Sequence, residues 1–427
     1  MEYFEIKGGR PLNGIVKISG AKNATFPILS AALLIDGKTH IKKVPGVVDV
    51  INFINILKGL GVKIEKNKDE ITVDTTGNIK SKIDHKKNHN LRGTQTLLGA
   101  LMGRNKEAML PSLGGCNIGA RPIDLHLKGL KELGATISWK EGYLHAKAKK
   151  LTGTSIYLDF PSVGATENLI IAATKAHGTT VLENTAREPE IENLIDFLNK
   201  AGANIQTKRP GVIYIKGVKK LHPVDFTLIP DRIEAATYLI MGAITRGDIT
   251  IKDVKTQDFE PIIMKLKEMG AEIETNDNEV HLFADGRFKS VNIKTLPFPG
   301  FPTDAQPQIM SLMAVSKGTS IITETIFENR FRAAEGLQKM GASIRIEHDT
   351  AIVSGVERLN SANVTATDLR GGAALITAAL TTKGTSKILD IYHVDRGYEN
   401  IEKKIKKLGG HIERKNDSIR KISRYRK

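Results

Sequence analysis

Six times along the chain, an amphipathic run with helical spacing closes on a glycine and passes into a short run that alternates like a strand. The copies read LGVKI at 60–64, LGATI at 133–137, AGANI at 201–205, MGAEI at 269–273, MGASI at 340–344 and LGGHI at 408–412. Their glycines stand at 61, 134, 202, 270, 341 and 409, so the steps are 73, 68, 68, 71 and 68 residues. A period of about 70 is too long for a solenoid unit and suits a compact βα supersecondary unit used six times. The glycine is explained by helix termination, because a C′ residue in the left-handed conformation is free of a Cβ penalty only as glycine.

A second series runs out of phase with the first. More apolar helical runs end at Gly37, Gly178, Gly247, Gly318 and Gly384 and lead into β-branched strands. Each unit therefore holds two helices, one more apolar than the other, with strands between them. The copy due near Lys106 is missing, and the chain there reads AMLPSLGGCNIGARP over 108–122. A place where a repeat departs from its own rule is expected to be functional or strained. The predicted class is α/β, with six units dividing three plus three.

Composition narrows this. The 427 residues are enough for two domains of ordinary size. With 40% hydrophobic but only 5% aromatic residues, the cores are expected to be built from Ile, Leu, Val and Ala. No stretch approaches 18 uninterrupted apolar residues, the first residues (MEYFEIK) lack a basic-then-apolar leader, and one cysteine cannot close an internal disulfide. A soluble cytoplasmic protein with no membrane partner is the expectation. The net charge of +16 raises the question of a nucleic-acid ligand. Lysines are scattered over exposed helix faces, as in KKIKK at 403–407, without the interleaved aromatics that base stacking needs. A solvated basic surface is therefore favoured over nucleic acid. Residues 414–427 hold seven basic residues in fourteen and read as a frayed tail.

Candidate chemistry gathers in a few places. Cys116 follows Gly114-Gly115 in a Pro- and Gly-flanked loop, five residues before Arg121. Flexible glycines and a nearby cation suit an exposed thiol of lowered pKa better than a packed core cysteine. Ser19-Gly20-Ala21-Lys22-Asn23 opens an apolar helix at 24–34 and reads either as an anion site at a helix start or as a plain capped helix. Arg330, Arg370 and Arg396 each have an acid one or two residues away that would orient them. Arg330 and Arg396 both stand 12 residues beyond a repeat glycine (318 and 384), so equivalent ends of two units carry Arg. Asp304 follows an irregular Pro-Phe-Pro-Gly-Phe-Pro segment at 297–302.

These residues carry a resemblance. The segments 19–23, 114–124 (GGCNIGARPID), 162–166 (SVGAT), 186–190 (AREPE), 301–306, 324–331 (ETIFENRF), 366–370 and 393–399 (HVDRGYE) resemble, along the full chain, the UDP-N-acetylglucosamine 1-carboxyvinyltransferases of the EPSP synthase superfamily. The resemblance implies a two-domain inside-out α/β barrel of six βαβαββ repeats, with one domain over 21–229 and the other over 1–20 plus 230–427. It implies transfer of the enolpyruvyl group of phosphoenolpyruvate to the 3′-hydroxyl of UDP-N-acetylglucosamine, with release of phosphate, at the first committed step of peptidoglycan synthesis. No cofactor and no metal are implied, and the oligomeric state is left open.

Carried over by the resemblance, Lys22, Arg121 and Arg396 would hold the phosphate, and Arg330 and Arg370 would grip the carboxylate or adjacent charge. Cys116 would act as general acid toward the methylene carbon, could add covalently to phosphoenolpyruvate, and would be the point of attack for an epoxide phosphonate such as fosfomycin. Asp304 would accept the sugar hydroxyl proton. Arg92, Arg121, Pro122, Ile123, Asp124, Leu125, Ser162, Val163 and Ile326 would line the nucleotide-sugar site, with Asn23 beside the reacting centre. These residue types fit the chemistry. Phosphoenolpyruvate brings about three negative charges into a small volume, and fixed cations offset their desolvation. Arginine's fork matches a planar carboxylate.

Two departures concern the UDP moiety. Phe160 stands where some relatives carry Lys, and LRGTQT at 91–96 lacks the aromatics that many place after the Arg. Three rival readings compete with this one. The shikimate-pathway enolpyruvyl transferase shares fold and chemistry but lacks this Cys loop. RNA 3′-terminal phosphate cyclase needs a histidine nucleophile, and none of the 11 histidines lies in a comparable loop. A paralogue kept for binding or regulation should have lost a charged site residue, whereas Lys22, Cys116, Asp304 and the arginines are all present.

Overall fold

The computed structural model describes residues 2–84, 92–111 and 123–416. The two helix series of the sequence appear as two kinds of helix. Lys22–Ala32, Thr96–Asn105, Val163–Ala173, Arg232–Ile244, Gln306–Met313 and Leu369–Ala379 are buried nearly all round. Val48–Gly59, Asp124–Glu132, Pro189–Lys200, Glu260–Met269, Ala333–Lys339 and Ile401–Lys407 bury one face only. A helix that is apolar all round has to lie in the interior, and one with a single stripe lies at a surface.

All six glycines of the first series have positive φ, from 87° at Gly409 to 113° at Gly270, and each is followed by a strand. In the second series Gly37, Gly178, Gly318 and Gly384 are likewise left-handed. The copy expected to be missing near Lys106 is present in the backbone. Lys106 itself takes the left-handed position, φ 62°, closes the Thr96–Asn105 helix and leads into the strand Glu107–Pro111. Arg246 does the same, φ 55°, one residue before Gly247. The repeat thus extends to Pro111 at this point.

Among the described residues the strands form six sheets, five of four strands and one of three. A typical sheet joins a hairpin such as Lys63–Asn67 and Glu70–Asp74 to the strand after a buried helix, Lys38–Lys42, and then to a short parallel edge strand, Asp225–Thr227. One sheet borrows from the far end of the chain: Glu2–Lys7 lies between Thr385–Leu389 and His411–Asn416, antiparallel to both. Residues 414–416, expected to begin a frayed tail, are therefore in a strand. Arg414 pairs with Asp395 (2.6 Å), Glu2 (3.1 Å) and Glu402 (3.4 Å).

The chain divides into two units. One comprises Ser19–Asp231 with Pro297–Gly300, and the other Met1–Ile18, Arg232–Leu296 and Phe301–Lys427. Each has its own hydrophobic core, dominated by Ile, Leu, Val and Ala, with three sheets and three mutually packed buried helices. No helix of the described residues is long and apolar enough to cross a membrane.

Candidate active site

In the larger-numbered unit, three helix starts bring charged side chains together. Asp304 sits in the 3-10 turn Thr303–Ala305 that feeds the Gln306–Met313 helix. Arg330 opens the 3-10 turn Arg330–Arg332, and Arg370 is the second residue of the Leu369–Ala379 helix. Arg330 donates from Nη2 to Asp304 Oδ1 at 2.6 Å and from Nε to the Thr303 carbonyl at 3.0 Å. Arg370 donates to Asp304 Oδ2 from Nη2 at 3.0 Å and from Nε at 3.3 Å. Both arginines are buried (2% and 3% exposed), whereas the Asp304 side chain is 27% open. One carboxylate thus faces two guanidinium groups and keeps an edge toward solvent.

The acids next to these arginines in sequence do not pair with them. Asp368 caps the Leu369–Ala379 helix, accepting from the Arg370 and Gly371 N–H at 3.0 Å each. Asp395 pairs with Arg414, not with its neighbour Arg396, which ends the Tyr392–Asp395 turn half-buried. A carboxylate that caps its own helix start has its lone pairs directed at backbone N–H groups, which explains why nearness in sequence misled.

Glu324 was given no role by the sequence, although it lies in a motif segment. It accepts from Thr303 Oγ1 (3.0 Å), Thr295 Oγ1 (2.9 Å) and the Ile326 and Phe327 N–H (2.9 and 3.3 Å). It therefore fixes both the residue before Asp304 and the backbone of Ile326. Tyr398 is a second unassigned member. Arg370 lies 5.4 Å from its ring centroid, and its hydroxyl meets Thr237 (2.9 Å) and Gln308 (3.1 Å).

In the other unit, Lys22 is the first residue of the Lys22–Ala32 helix, buried, with Nζ 3.4 Å from Asp49 Oδ2. Its backbone N–H donates to Asp231 Oδ2 at 3.2 Å. The helix start, read from sequence either as an anion site or as a plain capped helix, thus already holds a carboxylate of the protein's own. Gly20 has a packing reason: a Cβ there would lie 1.7 Å from the Lys43 carbonyl oxygen. Asn23 is the next helical residue and half-buried.

Two further helix starts of that unit carry the remaining candidates. Ile123 caps and Asp124 opens the Asp124–Glu132 helix, with Leu125 following. Ser162 caps the Val163–Ala173 helix, its Oγ accepting from the Ala165 N–H at 3.3 Å. The two starts are joined through His126, whose ring edge lies 3.3 Å from where a Cβ on Gly164 would stand. Burial lowers the His126 pKa to about 4. On the Val163–Ala173 helix Glu167 is buried, its pKa raised well above the ordinary value by burial and then by Glu190 and Glu188. Phe160 is 46% exposed beside this region in sequence. Cys116, Arg121 and Pro122 lie outside the described residues, as does the Arg92 side chain.

Two repeat-built α/β units each place charged side chains at helix starts, Lys22 in one and Arg330 and Arg370 in the other. The chain belongs to the EPSP synthase (3-phosphoshikimate 1-carboxyvinyltransferase) family, whose model matches residues 6–422. It is 48% identical over 412 residues to UDP-N-acetylglucosamine 1-carboxyvinyltransferase 3 of Caldanaerobacter subterraneus subsp. tengcongensis, covering 96% of this chain and 99% of that protein. It is 49% identical over 417 residues to UDP-N-acetylglucosamine 1-carboxyvinyltransferase 1 of Clostridium acetobutylicum, covering 97% and 100%. Its structure is similar to that of the enolpyruvyl transferase NikO from Streptomyces tendae, with TM-score 0.89, 26% identity, and 97% and 98% of the chains covered. At 19% identity it shares the fold of EPSP synthase from Acinetobacter baumannii, with TM-score 0.76 over 97% and 100% of the chains.

Proposed function

We propose that the protein transfers the enolpyruvyl group of phosphoenolpyruvate to the 3′-hydroxyl of UDP-N-acetylglucosamine, releasing phosphate, at the entry to peptidoglycan synthesis. The observation that carries this reading is identity of 48–49% along 96–97% of the chain to proteins named for that reaction. The Asp304 centre supports it chemically. Two buried guanidinium groups are desolvated and fixed before any ligand arrives, so an incoming carboxylate or phosphate meets preorganised donors.

In this reading Cys116 protonates the methylene carbon of phosphoenolpyruvate, the sugar oxygen adds to the adjacent carbon, and Asp304 takes the hydroxyl proton. Loss of phosphate, with return of one methyl proton to the Cys116 thiolate, restores the double bond. Lys22, Arg121 and Arg396 hold the phosphate, and Arg330 and Arg370 the carboxylate or adjacent charge. Asn23, Arg92, residues 121–125, Ser162, Val163 and Ile326 receive the nucleotide sugar. We further propose that each unit is an inside-out barrel of three βαβαββ repeats, that the enzyme works in the cytoplasm in support of cell shape and division, and that fosfomycin alkylates Cys116.

Phosphate release from phosphoenolpyruvate tests the reading directly. Release should require UDP-N-acetylglucosamine and should not occur with shikimate 3-phosphate. Release with the latter alone would place the chain with the shikimate enzyme instead.

A further inference from the structure

The His126 ring sits at the meeting of three helices and is 4% exposed. Its protonation geometry follows from its neighbours. The Gly99 N–H, which can only donate, points at Asn168 Oδ1, and this fixes the orientation of the Asn168 amide. Asn168 Nδ2 then has to donate to His126 Nδ1, at 3.0 Å. An imidazole that accepts at Nδ1 carries its hydrogen on Nε2. Gly99 is needed for this chain of bonds, since a Cβ there would lie 2.1 Å from the Asn168 carbonyl oxygen.

The Nε2 edge faces the first turn of the Val163–Ala173 helix, 3.3 Å from the Cβ position of Gly164, and no described residue accepts a hydrogen bond from it. The first N–H groups of that helix lack intrahelical acceptors, as at any helix start, and the macrodipole adds positive potential there. Ser162 Oγ is occupied by the Ala165 N–H. A buried ring whose Nε2 has no acceptor among the described residues, beside a helix start that favours anions, suits an anionic oxygen from outside the chain.

We infer that His126 is a positioning residue for the nucleotide sugar, donating from Nε2 to a diphosphate oxygen held at the start of the Val163–Ala173 helix. This rests on the function proposed above and adds a residue to it. The ring acts as a neutral donor of fixed direction, and burial, which pushes its pKa down to about 4, keeps it neutral across the working range. A neutral donor orients the diphosphate without adding a further charge to an already cationic chain.

Steady-state kinetics of the intact enzyme test the assignment. His126→Phe keeps a ring of similar size and removes both nitrogens, and His126→Gln restores a donor at the reach of Nε2. Loss of a hydrogen bond to a charged oxygen corresponds to about 10- to 100-fold in affinity. His126→Phe should raise KM for UDP-N-acetylglucosamine by at least about tenfold, far more than it changes kcat or KM for phosphoenolpyruvate, and His126→Gln should recover most of the loss. Both KM values and kcat moving together in His126→Phe, or sugar-nucleotide KM staying within about twofold, would overturn the inference. Ring 15N resonances provide an arm that does not depend on turnover. In the wild-type protein His126 should show the neutral Nε2–H form and shift when UDP is added, and a protonated ring or no shift with saturating UDP would overturn the assignment. Absence of phosphate release by the wild type would instead count against the parent reading alone.

Discussion

Asp304 illustrates how little of a site's wiring is local. The sequence marks it by its loop, but its partners Arg330 and Arg370 lie 26 and 66 residues away. If it is the proton acceptor, Asp304→Asn should lower kcat by about 10²–10⁴, while calorimetry should still register UDP-N-acetylglucosamine binding within a few-fold of wild type. An Asn variant retaining more than about a tenth of turnover would send the search for the base elsewhere, on the usual size of a general-base contribution. The candidate side chains were legible because their types match an anion chemistry. Their pairing was not, because a carboxylate one residue from an arginine has a competing use as a helix cap, as at Asp368, or a stronger distant partner, as at Asp395. Glu324 escaped notice for the related reason that its work, bonding to Thr295, Thr303 and two backbone N–H groups, is set by tertiary contacts.

At the scale of elements, the sequence was most readable where backbone geometry restricts the residue. Six glycines at one repeat position announce six left-handed helix ends, and Gly270 shows the effect in isolation, since a Cβ there would touch nothing within 4 Å. Gly270→Ala should therefore cost about 1–2 kcal/mol from backbone strain alone, read as a lower urea midpoint at unchanged slope. Lys106 and Arg246 hide the same turn, because tertiary packing tolerates that modest cost and no glycine marks it. The Val163–Ala173 helix carries a second test. Burial first, and then Glu190 and Glu188, push the pKa of the Glu167 carboxyl well above the ordinary carboxylate range. Its folded-state pKa lies above that of the unfolded chain, so unfolding releases its proton over the interval between them. Stability is therefore fully present below the unfolded value of about 4.3 and falls as pH rises, by at most about 1.4 kcal/mol per pH unit. Glu167→Gln, shaped like the protonated acid, should remove this loss, so that its advantage over wild type in urea unfolding grows from pH 5 to pH 7 (on the order of two pH units above the unfolded pKa). Parallel stability curves for the two proteins would mean that the carboxyl is already ionised in the fold.

For the whole molecule, two separate hydrophobic cores predict unfolding in more than one step, since cooperativity extends as far as a shared core. Trp139, the one tryptophan, lies in the unit Ser19–Asp231 and reports on that unit, whereas far-ultraviolet dichroism reports on both. The two urea curves should not coincide, and superimposable curves would mean that the units melt together.

The position of the first strand gives chain synthesis a fixed order. Among the described residues Glu2–Lys7 pairs with Thr385–Leu389 and His411–Asn416, so both of its edges stay unpaired until those two strands, far later in the chain, have been made. Meanwhile Ser19–Asp231 emerges as a nearly continuous stretch with its own core and is free to fold. An apolar strand bearing Phe4 and Ile6 must be kept from pairing with a strand of another nascent chain until its own partners have been made.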